Sequence, residues 1–254
     1  MDKKRFEEGM AYAEKNYKAA DSHLHLDKKL FLNELDLSGK EILDFGCGMG
    51  GMSLWIAENW DCKVTALDID PFHIKIAKAL KEKYNRNNIS FSEQNILEKP
   101  LDKKFDFITL FDVAEHIDVN ILKDIFKTLN SHLKEDGKIY ISYPPWDGPW
   151  GSHLNTITSF PWPQFLPKKY LFKMLDERNQ ATVGRNDVKT NYLELNHLRP
   201  GMLRRLMKEA GFEQTRRISH SIMNRIGIFK NINFNVFPFK YIVSKELVFF
   251  RKAR

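Results

Sequence analysis

The sequence predicts an α/β fold: a doubly wound, mostly parallel seven-stranded sheet with an antiparallel last strand and a segment inserted after the fifth strand. Three observations predict it. From Glu41 onward, short apolar runs alternate with amphipathic stretches, the pattern of strand–helix–strand crossovers in a parallel sheet. Phe105–Phe111 is almost wholly apolar, as a parallel strand covered on both faces should be. The alternation stops at Tyr143, gives way to a stretch rich in proline and tryptophan, and then resumes.

The elements follow in order. Before residue 40 the chain reads as helix, with Phe6, Met10, Ala13 and Tyr17 at helical spacing on one face. Glu41–Phe45 is the first strand, Gly51–Trp60 a helix and Lys63–Leu67 the second strand. Asp70-Pro71 pairs an N-cap with a proline at the first helical position. That helix runs to about Asn85, with Ile74, Ala77 and Leu80 facing inward. Ile89–Ser92 and Phe105–Phe111 are the third and fourth strands. Val119–Leu133 is a helix whose stripe is Leu122, Ile125, Phe126, Leu129 and Leu133, and Lys138–Tyr143 is the fifth strand. Six of the ten prolines and three of the five tryptophans then fall between Pro144 and Pro167. No regular pattern fits there, and so aromatic a segment reads as an ordered lid rather than a linker. Regular structure is expected again at Arg199-Pro200, in a helix closed by Gly211. Phe212–His220 and Phe239–Phe250 are the last two strands, the second antiparallel. The expected organisation is a helical cap over residues 1–40, a ligand-binding core over 41–143, a lid over 144–198, and a closing helix with two strands over 199–254.

Composition narrows the classes. A chain of 254 residues with 43% hydrophobic content can bury a large core. No signal peptide and no apolar run long enough to span a bilayer is visible. Two cysteines, Cys47 and Cys62, build no disulfide framework. A reducing, cytoplasmic setting is expected. Arg199–Arg254 holds 13 of the 40 Lys/Arg and only 3 of the 33 Asp/Glu, so the whole excess behind the net +7 lies there. Such a patch attracts nucleic acid, an anionic membrane or an acidic substrate, or is simply a solvated face.

The central signal is Leu43-Asp44-Phe45-Gly46-Cys47-Gly48-Met49-Gly50-Gly51, after a strand and before a helix. Glycines remove β-carbons where a ligand meets a helix N-terminus. Asp68, twenty residues after Gly48 at the end of the second strand, is placed to grip ribose hydroxyls. Gly46, Gly48 and Gly51 also satisfy the dinucleotide pattern G-x-G-x-x-G. Asp44 separates the two ligands. A carboxylate beside a pyrophosphate is repelled by about 4 kcal/mol per charge pair at roughly 4 Å and an effective dielectric of about 20. S-adenosylmethionine has no phosphate and carries a sulfonium and an amino group, which an acid favours.

Over Glu41–Ser142, and again at Arg199–Phe212, the sequence resembles the class I S-adenosylmethionine-dependent methyltransferases, of the broad type acting on small molecules. Asp44-x-Gly46-x-Gly48-x-Gly50 is similar to the first motif, which cradles the methionine end of the donor. Val64–Ile69 resembles the second, implying Asp68 on the ribose and Ile69 against the adenine. Gln94-Asn95-Ile96 stands where the family usually has Gly-Asp-Ala, and implies contact between the Asn95 side-chain oxygen and the adenine amino group. Phe111-Asp112-Val113-Ala114-Glu115-His116 and Leu133–Lys138 resemble the segments after strand four and before strand five. The resemblance implies a Rossmann-like core with S-adenosylmethionine as cofactor. Tyr17, Asp44, Gly46, Cys47, Gly48, Gly50, Asp68, Ile69, Asn95, Ile96, Phe111, Asp112 and His116 are its expected surroundings.

Other readings stand beside these. Asp44 also suits bracing the loop, and Phe111 the core. Asp112-x-x-Glu115-His116 holds two carboxylates and a histidine within one helical turn, as in some RNA 2′-O-methyltransferases and quinone-pathway O-methyltransferases that carry a metal. Metal-free relatives share the letters, so the expected role is lining the donor site, with no metal. Trp146, Trp150 and Trp162 are the candidate walls of an acceptor pocket. His153 and His197 are the candidate bases. The predicted reaction is methyl transfer to a small or lipid-linked acceptor, at oxygen, with the lid and the helix around Tyr17 closing over it. The alternatives are an RNA methyltransferase, an NAD(P)-dependent oxidoreductase and a peripheral membrane-binding protein. The last rests on Phe229, Phe234, Phe237, Phe239 and Tyr241 interleaved with Lys230 and Lys240. A nucleic-acid partner is not expected, as no RNA-binding module is apparent.

Overall fold

A computed structural model describes residues 3–19, 22–181, 187–225 and 239–254. The chain forms two compact units: Met1–Phe111 and Lys127–Tyr140 with Arg254, and Asp112–Phe126 with Ile141–Ala253. Its sheet has seven strands in the order β3-β2-β1-β4-β5-β7-β6, and β5 belongs in part to each unit.

In the first unit the strands are β1 (Glu41–Phe45), β2 (Lys63–Asp68), β3 (Ile89–Glu93), β4 (Phe105–Phe111) and most of β5 (Leu133–Tyr143). β1 pairs in parallel with β2 and β4, and β2 with β3. Ile42, Leu43, Ala66, Leu67, Phe105, Ile108 and Leu110 are all buried, as strands covered on both faces require. Between them run α3 (Gly51–Asn59) and α4 (Pro71–Lys83). Asp70 caps α4 as expected, its carboxylate accepting the Phe72 N–H at 2.7 Å ahead of Pro71. α5 (Val119–His132) buries Leu122, Ile125, Phe126 and Leu129, while Leu133, the last of the expected stripe, is buried as the first residue of β5.

The helical start is two helices, α1 (Lys3–Lys18) and α2 (His25–Glu34), rather than one run. α1 buries Gly9, Ala13, Asn16 and Tyr17, while Phe6 and Met10 stay half-buried. It packs on α3 and α4. A β-carbon on Gly51 would lie 2.5 Å from the Ala13 carbonyl, so glycine permits that approach.

In the second unit the irregular stretch contains more helix than the sequence predicts. Short 3-10 turns at Leu154–Thr156 and Pro163–Phe165 are followed by α6 (Lys168–Glu177) and α7 (Val188–Leu193). These cover a small apolar core of Leu154, Ile157, Leu171, Leu175 and Val188, which orders the segment. α8 (Pro200–Glu209) ends before Gly211, whose φ of 82° is a left-handed helix end. β6 (Phe212–Ser221) and β7 (Val243–Lys252) pair antiparallel. Phe239–Ile242 is a 3-10 turn rather than the start of the last strand. The register sets Ser219 opposite Glu246. Glu246 is buried and takes a two-pronged ion pair from Arg217, at 2.8 and 2.5 Å. No helix among the described residues is long and apolar enough to cross a membrane.

Candidate functional site

The loop after β1 is built from backbone that only glycine adopts without strain. Gly46, Gly48 and Gly50 have φ of 72°, 53° and 79°. The Gly46 and Cys47 amides donate to the Leu67 carbonyl, at 2.8 and 2.9 Å, and so tie the loop to β2. Gly50 is the N-cap of α3. At Gly48 no atom lies within 4 Å of where a β-carbon would stand, so the loop's backbone is open to a ligand there. The half-buried Cys47 thiol is held well above its usual pKa by burial, then by the Asp44 and Asp68 carboxylates, and stays neutral.

Asp68 ends β2 beside this opening. Its carboxylate accepts the Gly48 N–H at 2.8 Å and the Asp70 N–H at 2.9 Å, and the His73 ring stands 3.4 Å away. Burial pushes its pKa up, but His73 and the two amides outweigh burial and hold it below the usual carboxylate range. The neighbouring Ile69 is 72% exposed, a bare apolar face at a strand end. A carboxylate and a bare apolar side chain therefore sit side by side at the end of β2. His73 escaped the sequence reading, although its place three residues past the Asp70 cap puts it on the turn facing Asp68.

Asp44 faces inward. It is 1% exposed, and its oxygens accept the Ser53 hydroxyl at 2.5 Å and the Thr109 hydroxyl at 2.8 Å. The β1–β4 register sets Thr109 directly beside it. Burial raises its pKa to about 6, against the two hydroxyls that lower it. It joins β1, α3 and β4, which favours the bracing role.

The remaining first-unit residues divide. Asn95 is half-buried; its side-chain oxygen accepts the Leu97 N–H at 3.1 Å, closing its own turn. Ile96 is a buried core residue. Tyr17 is also buried, edge-on to Tyr84 at 4.7 Å, with its hydroxyl at the Glu58–Arg86 pair. Phe111 joins an aromatic cluster with Phe31 and Tyr140.

In the second unit four candidate residues share an unusual backbone. Asp112, His153, Trp162 and His197 have φ of 53°, 56°, 59° and 57°. Among the described residues Asn85 is the other non-glycine case. Left-handed backbone costs such residues about 1–3 kcal/mol each and concentrates at functional sites. Asp112 pairs with Lys245 at 2.9 Å. His116 and His153 instead meet edge-on, 4.8 Å between ring centres, beside the buried Glu115. Asn196 clamps this turn: its side chain donates to the Ala114 and Ile117 carbonyls, both at 2.7 Å, and its N–H to the Glu115 carbonyl. His197 stacks on Trp146 at 3.8 Å, and burial followed by Arg199 lowers its pKa. Trp146 is buried beneath it, whereas Trp162 shares an open aromatic hollow with Phe165 and Tyr241. Trp150 is half-buried, and its carbonyl accepts the His153 N–H at 3.0 Å.

Residues 12–216 match a family model described as a methyltransferase domain. A malonyl-[acyl-carrier protein] O-methyltransferase from Acetivibrio thermocellus is 31% identical over 152 residues, 56% of this chain and 50% of that protein. A ribosomal RNA small subunit methyltransferase C from Marinomonas sp. is 29% identical over 153 residues, 52% of this chain and 42% of that one. The chain thus spans about half the length of the curated relatives it matches. The CcbJ methyltransferase of Streptomyces caelestis superposes with a TM-score of 0.63 at 10% identity, covering 97% of this chain and 99% of that one. Magnesium protoporphyrin IX methyltransferase from Synechocystis, with bound SAH, superposes at 0.57 and 14% identity, over 96% and 94%. These two share the fold. The family match favours the methyl-donor reading over the dinucleotide one: the chain belongs to the methyltransferase-domain family, of the class I S-adenosylmethionine-dependent type.

Proposed function

We propose that this methyltransferase acts on an oxygen of a small or lipid-linked acceptor, with His197 as the base. The observation that carries this is the state of His197. Its ring lies on Trp146, the residue is exposed, and its pKa is lowered by burial and then by Arg199. Such an imidazole is neutral near pH 7 and keeps a lone pair for an acceptor proton. Bound by the glycine loop and Asp68, S-adenosylmethionine supplies the methyl group from its sulfonium and leaves as S-adenosylhomocysteine. Asp68 holds the ribose, and Ile69 covers the adenine. The acceptor oxygen gains the methyl group, and its proton passes to His197. The O-methyltransferase relative supports oxygen as the acceptor atom. The domain proposal is a donor-binding core over 41–143 with the acceptor held by the lid over 144–198.

The test is His197→Asn, since asparagine tolerates the left-handed backbone. With a panel of hydroxyl acceptors, kcat should fall by about 10²–10⁴-fold while the affinity for S-adenosylhomocysteine holds. Activity only on amine or carbon acceptors, or an unchanged kcat, refutes the reading.

Membrane contact belongs to the same proposal. Phe165, Phe239 and Tyr241 are exposed beside Lys240, around the Trp162 hollow, a composition suited to an interface. Phe229, Lys230, Phe234 and Phe237 lie outside the described residues. Co-sedimentation with anionic vesicles that is lost in Tyr241→Ser supports it. A second reading, an RNA acceptor, draws on the ribosomal RNA methyltransferase relative, and steeply salt-dependent RNA binding favours it.

A further inference from the structure

Glu115, His116 and His153 each offer a ligand atom, and the three atoms lie within 4.8 Å of one another. The Nε2 atoms of both imidazoles address the same carboxylate oxygen, Oε1 of Glu115, at 3.9 Å from His116 and 3.6 Å from His153. Those spans exceed hydrogen-bond length. They are close to the edge of a coordination polyhedron, since two ligands bound at about 2.1 Å in tetrahedral geometry stand roughly 3.4 Å apart. The widest of the three spans, up to 4.8 Å, would have to close by about 1.4 Å for tetrahedral ligation, a movement within reach of side-chain rotation at two half-buried histidines.

The surroundings support such a use. Glu115 is 2% exposed, so the cluster is screened from water on its carboxylate side. The fully buried hydroxyl of Tyr143, which feels the charge of Glu115, has no hydrogen-bond partner among the described residues. His153 reaches the cluster from left-handed backbone, and the Asn196 clamp fixes the turn that carries Glu115 and His116. Asp112, the other acid of the sequence segment, is engaged with Lys245 and does not take part.

We infer that Glu115, His116 and His153 bind a divalent transition-metal ion. Two imidazoles and one carboxylate suit Mn²⁺, Co²⁺ or Zn²⁺ rather than Mg²⁺ or Ca²⁺, which prefer all-oxygen shells. Three protein ligands leave a coordination position open. An acceptor oxygen taken up there would become more acidic. The site itself does not depend on the oxygen-methylation reading; only that use of it does.

The experiment is calorimetric titration of the chelator-stripped full chain with Co²⁺ alone, read in parallel by the visible spectrum of the bound ion. One Co²⁺ per chain is expected, with Mg²⁺ failing to compete. Glu115→Gln and His153→Asn should each weaken binding by at least about 100-fold, more than is typical for groups behind the ligands. Thermal unfolding monitors the fold. If Glu115→Gln does not fold, His153→Asn and His116→Asn, at half-buried side chains, decide the matter. Absence of Co²⁺ binding by the wild-type chain overturns the inference, and so does binding that the folded variants leave unchanged. S-adenosylhomocysteine affinity, measured on the same samples, reports separately on the methyltransferase assignment.

Discussion

The backbone N–H of Gly48 donates to Oδ2 of Asp68 at 2.8 Å, joining the loop after β1 to the end of β2 across twenty residues of sequence. The same carboxylate thus holds the loop in its open shape. Asp68→Ala is expected to abolish measurable donor binding while the protein stays folded. Loss of two charge-assisted bonds to the ribose amounts to about 3 kcal/mol, or at least roughly 100-fold in Kd. Calorimetry with S-adenosylhomocysteine checks it, and an unchanged Kd would remove Asp68 from the site.

Asp44 should leave a signature in stability against pH. Its folded pKa is about 6, raised from 3.8, so the folded chain holds this proton more tightly than the unfolded one. The contribution is therefore complete below about pH 4 and is lost as the pH rises through 6, by up to about 3 kcal/mol. Asp44→Asn removes that slope. Urea unfolding of both proteins between pH 4 and 7 should show the wild type losing stability relative to the variant. Parallel curves would contradict it. If the carboxylate also favours the donor's positive charge, Asp44→Asn weakens S-adenosylmethionine more than the uncharged S-adenosylhomocysteine.

Two glycines of the loop should fail in different ways. A β-carbon on Gly50 would stand 2.7 Å from both the Ala77 Cβ and the Phe91 ring, on a backbone with φ of 79°. Gly50→Ala is expected to cost about 3 kcal/mol in unfolding free energy, from overpacking added to strain. Gly48 faces open space, so Gly48→Ala should cost only about 1–2 kcal/mol from its φ. It should nonetheless weaken the donor strongly, because the new methyl group occupies the ligand's side. Equal effects of the two substitutions on stability would show that Gly48 is not open.

Much of the fold was legible in order along the chain, because it rests on local signals. Phe105–Phe111 is β4 to the residue, and the Asp70-Pro71 cap starts α4 as expected. Helices α6 and α7 were not legible, because six prolines crowd the segment before them and mask the short amphipathic stretches behind. They hold together through the core of Leu154, Leu171 and Val188, which is a tertiary property. β5 begins at Leu133, where the polar run Lys134–Asp136 reads as a turn. Tyr17 and Ile96 show the limit for sites: motif position marks the neighbourhood, and packing then assigns each side chain to core or surface.

The sequence by itself determined the sheet, its crossovers and the glycine loop, since periodicity, caps and glycines act within a few residues of where they are written. Only the tertiary structure decided which distant groups became partners. The strand register set Thr109 beside Asp44, and the segment after β5 placed His153 against Glu115 while Lys245 took Asp112. Such pairings depend on distances closed by folding, and no local pattern encodes them.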